Sequence, residues 1–187
     1  LAVERSLVIV VKLGGSLFEH PRLAQGLRAY LESLAPRDVL LVPGGGDFAE
    51  RLRSLDRVHR LGEEASHWLA VQAMALSAAF VARLLDLPRF DSRIQIPDCL
   101  AFLQGDDRNP DALPHAWSVT ADSIAARIAV VNGAERLILL KSLDIPPETC
   151  WVEAARRGWV DEHFPTAIAG SRMAIEAVNF ARVLHAR

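Results

Sequence analysis

The chain has 187 residues, of which 51% are hydrophobic and 24% charged, and its formal net charge is −2. The length suits one domain spanning 1–187 with a sizeable core, the composition is that of an ordinary globular protein, and the charge marks no nucleic-acid surface. No continuous apolar run reaches the ~18–20 residues of a membrane span, and no repeat, linker or low-complexity segment divides the chain.

The chain begins at Leu1 and not at Met, which reads as a truncated start. Val8-Ile9-Val10-Val11 is a short apolar run ending at Lys12, so 7–12 reads as a buried strand and not as a signal peptide. Residues 22–34 follow helical spacing, with Leu23, Leu27, Tyr30, Leu31 and Leu34 on one face, and Pro36 ends the helix. A second strand is expected over 38–43. A short helix over 47–55 would turn Phe48, Leu52 and Leu55 inward and Glu50, Arg51 and Arg53 outward. The longest pattern runs over 61–87, where Leu61, Ala65, Trp68, Leu69, Gln72, Ala73, Leu76, Phe80 and Leu84 recur at three- and four-residue intervals. Its many alanines make a slender helix that suits core packing, with a contact between two or more copies of the chain as a further role.

One or two short strands are expected around Pro97 within 93–103, followed by a polar loop over 104–114. A helix over 119–131 has Ser118 or Thr120 as candidate N-cap and closes at Asn132-Gly133. Residues 136–140 read as a buried strand ending at Lys141, and Pro146-Pro147 break the chain. A helix over 148–157, a last strand over 166–169 and a last helix over 171–184 complete the series. Strands alternating with helices argue for an α/β domain with a mainly parallel sheet and helices on both faces. Cys99 and Cys150 are isolated and the histidines lack ligand spacing, so no metal site is expected, and the thiols fit a reduced, cytoplasmic setting.

The chemistry gathers at two glycine turns. Lys12-Leu13-Gly14-Gly15-Ser16 follows the first apolar run, and Pro43-Gly44-Gly45-Gly46 follows Val39-Leu40-Leu41-Val42. A strand–glycine turn–helix unit offers bare N–H groups and a helix N-terminus to an anion. Two such units in one parallel sheet put both turns on the same edge. Lys12 adds a positive charge at the end of a buried strand, where an unpaired structural lysine would be costly. The arrangement suits two anionic groups, as phosphoryl transfer requires. It is not a P-loop, because Lys12 precedes the glycines, and neither turn is a dinucleotide fingerprint.

Val11-Lys12-Leu13-Gly14-Gly15-Ser16 and Val42-Pro43-Gly44-Gly45-Gly46 resemble the first two motifs of the amino acid kinase superfamily. Asp122-Ser123-Ile124-Ala125 is similar to its later D-x-x-A helix motif, and Lys141-Ser142-Leu143-Asp144-Ile145 to its nucleotide-binding strand end. The resemblance covers about 7–145. It implies a three-layer αβα sandwich with a mainly parallel, Rossmann-like sheet, and ATP with Mg²⁺ lying end to end with an acceptor over the C-terminal sheet edge. It further implies that Lys12 stabilises charge on the transferred group, and that the N–H groups of Gly14, Gly15, Gly44 and Gly45, with Ser16 and Gly46 beside them, hold that group. Asp122 would position Lys12 or Mg-ATP, while Lys141, Ser142, Leu143 and Asp144 would meet the nucleotide. The family's habit of dimerising through its long helix points to 61–87 as a homodimer contact.

The chain departs from the family pattern in two ways. Lys141 stands where threonine is usual, and residues 146–187 contain no lysine where a further one is expected. Lys141 is therefore the candidate for the missing cation. Asp47, Phe48 and Arg51 follow the second turn and are candidates to face the acceptor. The short length and the segments 43–49, 67–74 and 158–165 are similar to a compact branch that includes aminomethylfuran-methyl phosphate kinases of methanofuran and methylofuran biosynthesis. That branch implies a phosphate monoester acceptor and a diphosphate product. A carboxylate kinase and a nucleotide binder without turnover remain the other readings of the sequence.

Overall fold

The computed structural model of the protein describes residues 8–87 and 93–186. Leu7, expected to open the first strand, lies outside them. Five parallel strands form one sheet in the order β3-β2-β1-β4-β5: β1 Val8–Leu13, β2 Asp38–Pro43, β3 Ile94–Gln95, β4 Arg136–Lys141 and β5 Ala174–Asn179. Helices cover both faces. Because side chains alternate across a strand, Val10, Val42, Leu137 and Leu139 face one cluster, against α5 (Ala121–Val131) and Val71 and Met74 of α3 (Glu63–Leu84). Ile9, Val11, Leu41, Ile138 and Leu140 face the other, against α1 (Leu23–Ser33) and α8 (Phe180–His185). The α/β architecture with a parallel sheet is as expected.

The register places both strand-terminal lysines on one side. Lys12 pairs with Leu139, and Lys141 lies two residues beyond it on β4, so both share the parity of Leu137 and Leu139 and face α5. Helix α5 is the most enclosed of the helices, buried at Ala121 through Ala129. Thr120, one of the two candidate caps, is its N-cap.

Several expectations are corrected. The helix after the second glycine turn, α2 (Gly46–His59), is longer than 47–55 and has no buried residue, and Phe48 is 48% exposed and does not turn inward. The buried residues of α3 are Ser66, His67, Val71, Ala73, Met74, Ser77 and Val81; Ala73 is buried as expected, whereas Leu76 and Phe80 are exposed. Polar residues caused that shift. Ser77 Oγ satisfies itself by donating to the Ala73 carbonyl at 3.2 Å, so a serine that the apolar spacing passed over lies on the buried face. Helix α3, with its many alanines, is also long and apolar enough overall to cross a membrane, although no uninterrupted apolar run showed this.

After Pro97 the chain forms no strand. Asp98 accepts from the Ala101 N–H at 3.0 Å and starts α4 (Cys99–Asp106), an N-cap signal that outweighs the apolar run. Helix α6 is Trp151–Arg156. The last strand and helix are displaced. Residues 164–167 form the short helix α7 (Phe164–Ala167), and 174–179 form β5. Six residues such as Ala174 to Asn179 fit both a helical and an alternating pattern, and only the ladder to β4 selects the strand.

Candidate active site

Lys12, Asp122 and Lys141, the three proposed catalytic residues, meet at the C-terminal end of the sheet. Lys12 Nζ lies 2.9 Å from Asp122 Oδ1, and Lys141 Nζ donates to Oδ2 at 2.6 Å. The Oδ1 contact is an ion pair off the direction of a hydrogen bond, so that oxygen accepts none of good geometry. The side chains of Lys12, Lys141 and Asp122 are 8%, 11% and 5% exposed. Burial opposes ionisation of Asp122, but the two ammonium groups outweigh it and hold the carboxyl below its usual range. Burial, then the charge of Lys12, pushes Lys141 down to about 8, against the pull of Asp122. Of the 21 basic residues of this chain only Lys12 and Lys141 are lysine, and both converge on one carboxylate.

The glycine turns stand beside this cluster, packed backbone against backbone. A Cβ on Gly15 would lie 2.3 Å from Gly46 Cα, and one on Gly45 would lie 2.6 Å from Ala49 Cβ. Gly46 has φ +54°, a conformation that favours glycine. One part of the expected phosphate cradle is corrected. The Gly14 N–H donates to the Leu140 carbonyl at 2.9 Å and the Gly44 N–H to the Leu13 carbonyl at 2.9 Å, so both are spent on the strands. Gly15, Gly45 and Gly46 make no backbone hydrogen bond through N–H among the described residues, and they line the adjoining cleft. They are the donors left for an anion, with the N-terminus of α2 behind them. Ser16 Oγ lies 3.0 Å from Ser142 Oγ and ties the first turn to the end of β4.

That cleft, about 320 Å³, opens between α2, α3 and the start of α5, and Lys12, Ser16 and Asp47 line it. Phe48 and Arg51, also expected to face an acceptor, do not line it; Glu50 and Arg53 do. The helical turn of α2 explains the exchange, because Asp47, Glu50 and Arg53 stand three residues apart on one face. Arg53 lies over the Trp117 ring, 4.3 Å from its centre, and the Trp117 indole N–H donates to Asp56 Oδ2 at 2.8 Å. His67 forms part of the cleft wall while only 2% exposed. Burial and then the neighbouring His115 keep it below its ordinary value, hence neutral at pH 7.

The expected nucleotide residues lie on the other side of the turns. Ser142 and Asp144 are exposed just past β4, and Asp144 Oδ2 meets Arg182 at 2.8 Å. Leu143 lies between them, partly buried, and none of the three lines the cleft. Asp161 is the residue missed from the sequence. Its Oδ2 accepts from Thr120 N–H at 2.9 Å, Thr120 Oγ1 at 2.8 Å and Ser123 N–H at 3.0 Å, and its Oδ1 accepts from Ser123 Oγ. Nothing local to Asp161 announces a cap for a helix that begins 40 residues upstream. The only signal was the hydroxyl pair Thr120 and Ser123 at a helix start.

Known proteins resemble this chain in sequence and in fold. The model of the amino acid kinase family matches residues 8–144. A (5-(aminomethyl)furan-3-yl)methyl phosphate kinase from Methanocaldococcus jannaschii is 25% identical over 143 residues, covering 72% of this chain and 66% of that protein. The chain thus matches just under two thirds of that relative's length. Uridylate kinase from Archaeoglobus fulgidus superposes with a TM-score of 0.65 at 17% identity, covering 95% of each chain. UMP kinase from Ureaplasma parvum gives 0.64 at 13% identity, covering 96% of this chain and 92% of that one. Both structures share the fold.

Proposed function

Because the chain belongs to the amino acid kinase family, we propose that it is a kinase that transfers the γ-phosphoryl group of ATP to a phosphate monoester, with aminomethylfuran-methyl phosphate as acceptor and its diphosphate as product. One observation carries the reading: two lysines share one buried carboxylate beside two abutting glycine turns, at the mouth of a cleft sized for a small acceptor. The likeness to the Methanocaldococcus kinase supports the choice of acceptor.

An acceptor phosphate oxygen in the cleft attacks the γ-phosphorus in line. The new P–O bond forms as the bond to the β–γ bridging oxygen breaks, and ADP leaves. The attacking oxygen is already ionised, so no general base is required. Charge on the transferred group falls to Lys12 and to the N–H groups of Gly15, Gly45 and Gly46, which are fixed before the reaction begins. Asp122 touches the lysines and acts by holding their ammonium groups a short distance apart. Lys141, at the nucleotide side, supplies the second cation. Among the described residues no group of three or more His, Cys, Asp or Glu side chains is placed to hold a metal ion. Mg²⁺ would be held chiefly by the phosphates of ATP and would neutralise part of their charge.

The test is ADP release from Mg-ATP with and without the acceptor, using Lys12→Ala as the control. Acceptor-dependent turnover that falls by about 10²-fold or more in the variant is the expected result. Product trapped by hydroxylamine would replace this reading with a carboxylate kinase, and ATP binding without turnover on either acceptor class would replace it with a non-catalytic nucleotide binder.

A further inference from the structure

Asp161 comes from the stretch between α6 and α7, in the C-terminal part of the chain that lacks the expected lysine. Its carboxylate accepts four hydrogen bonds at the entrance of α5, from the N–H groups and the hydroxyls of Thr120 and Ser123. Asp122 lies between those two residues. Its backbone N–H is 3.5 Å from Thr120 Oγ1, so the hydroxyl that Asp161 orients is also the N-cap of the turn that carries Asp122. An acid at a helix N-terminus is favoured by the dipole and by the orphan N–H groups.

We propose that Asp161 is a positioning residue of the phosphoryl-transfer site: by capping α5 from the C-terminal segment it fixes Asp122, and through Asp122 the placement of Lys12 and Lys141. The proposal rests on the kinase reading for its catalytic consequence, but its geometric content does not. The charged groups that act on Lys141 are Lys12 from β1, Asp122 from α5 and Asp161 itself, whose charge favours the ammonium form. Asn179, opposite Lys141 on β5, carries no charge.

Two substitutions separate position from charge. Asp161→Asn keeps an oxygen at the Oδ2 place for three donors, and its amide faces Ser123 Oγ, which accepts as well as donates. It deletes the charge and keeps the cap. Asp161→Ala deletes both, and exposed Glu162→Gln is the control. Because the chain holds two lysines, lysine labelled with ¹³C at Cε gives two side-chain signals whose titration is read without substrate.

In Asp161→Ala, kcat falls roughly tenfold to a hundredfold, the scale of a 1 Å misplacement, and the Lys141 titration midpoint moves to lower pH. In Asp161→Asn, kcat at about pH 6.5 stays near wild type, since Lys141, depressed to about 8, is still charged there. Its Lys141 titration and the alkaline limb of kcat shift down together. Glu162→Gln changes neither. A folded Asp161→Ala with wild-type kcat and wild-type Lys141 titration overturns the proposal and leaves Asp161 a structural cap. If Asp161→Ala does not fold, Ser123→Ala, which removes a hydroxyl that Asp161 holds at the entrance of α5, takes its place, and wild-type kcat with a wild-type Lys141 titration in that variant overturns the proposal equally. Absence of turnover in the wild type counts against the kinase reading alone, because the substrate-free titration still decides whether Asp161 acts on the lysine pair.

Discussion

Helices α5 and α2 both point their N-termini at the same glycine turns, yet they are opposite kinds of helix. Nine of the eleven residues of α5 are buried, and none of the fourteen of α2. The first holds Asp122 in a fixed place between two strands, where each charge is surrounded by partners it cannot exchange for water. The second presents Asp47, Glu50 and Arg53 along the wall of the cleft, with Arg53 resting on the Trp117 ring and within ion-pair distance of Glu50. Under the proposed reaction, the enclosed helix would carry the chemistry and the open one would meet the acceptor. The division also sets how large the effect of a substitution is on each side.

The strongest way to break the comparison is Asp122→Ala. It leaves two buried ammonium groups facing each other with no anion, and removing one partner of a buried ion pair costs about 3–5 kcal/mol. Loss of folding or a steep drop in Tm is the expected outcome in thermal unfolding; a folded variant with wild-type stability would mean that α5 is not the rigid half. Lys141→Ala comes next. It relieves the lysine–lysine repulsion, so the variant folds, but kcat with ATP falls about 10²-fold. Burial and Lys12 lower the Lys141 ammonium to about 8. The active form is the protonated one, so wild-type kcat declines as pH rises through about 8, and that limb is absent from whatever activity Lys141→Ala retains. An unchanged kcat in Lys141→Ala would remove this lysine from the mechanism. The smallest effect belongs to α2. Arg53→Ala raises the acceptor KM about tenfold, the scale of one lost charge-assisted hydrogen bond at ~1.5–3 kcal/mol, with kcat and Tm near wild type. A fall in kcat instead of a rise in KM would place Arg53 in the chemistry and erase the contrast.

Much of the enclosed half was legible in the sequence, because each of its signals is short. Lys12 at the end of an apolar strand, glycines directly after two strands, and Asp122 in the first turn of a capped helix are patterns within a few residues. The other half was not. Phe48 and Arg51 were expected to face an acceptor from their nearness to Gly46, whereas the 3.6-residue turn puts Glu50 and Arg53, with Asp47, on the cleft. The buried face of α3 was misjudged because His67 and Ser77 are polar residues that find partners inside. Gly14 and Gly44 were counted as phosphate donors because only the ladder reveals that their N–H groups are already spent on Leu140 and Leu13.

The sequence by itself determined the elements that depend on local chemistry: buried strands from apolar runs, turns from glycine, the start of α5 near Ser118 or Thr120, and a cationic strand end that had to be paired or functional. Only the tertiary structure decided what depends on register and on distant partners. The pairing of Lys12 with Leu139 brings Lys141 to the same face, and Asp161 closes a helix that begins 40 residues before it. Hydrogen bonds and ion pairs act over about 3 Å, and the distance along the chain between partners carries no trace in the residues that lie between them.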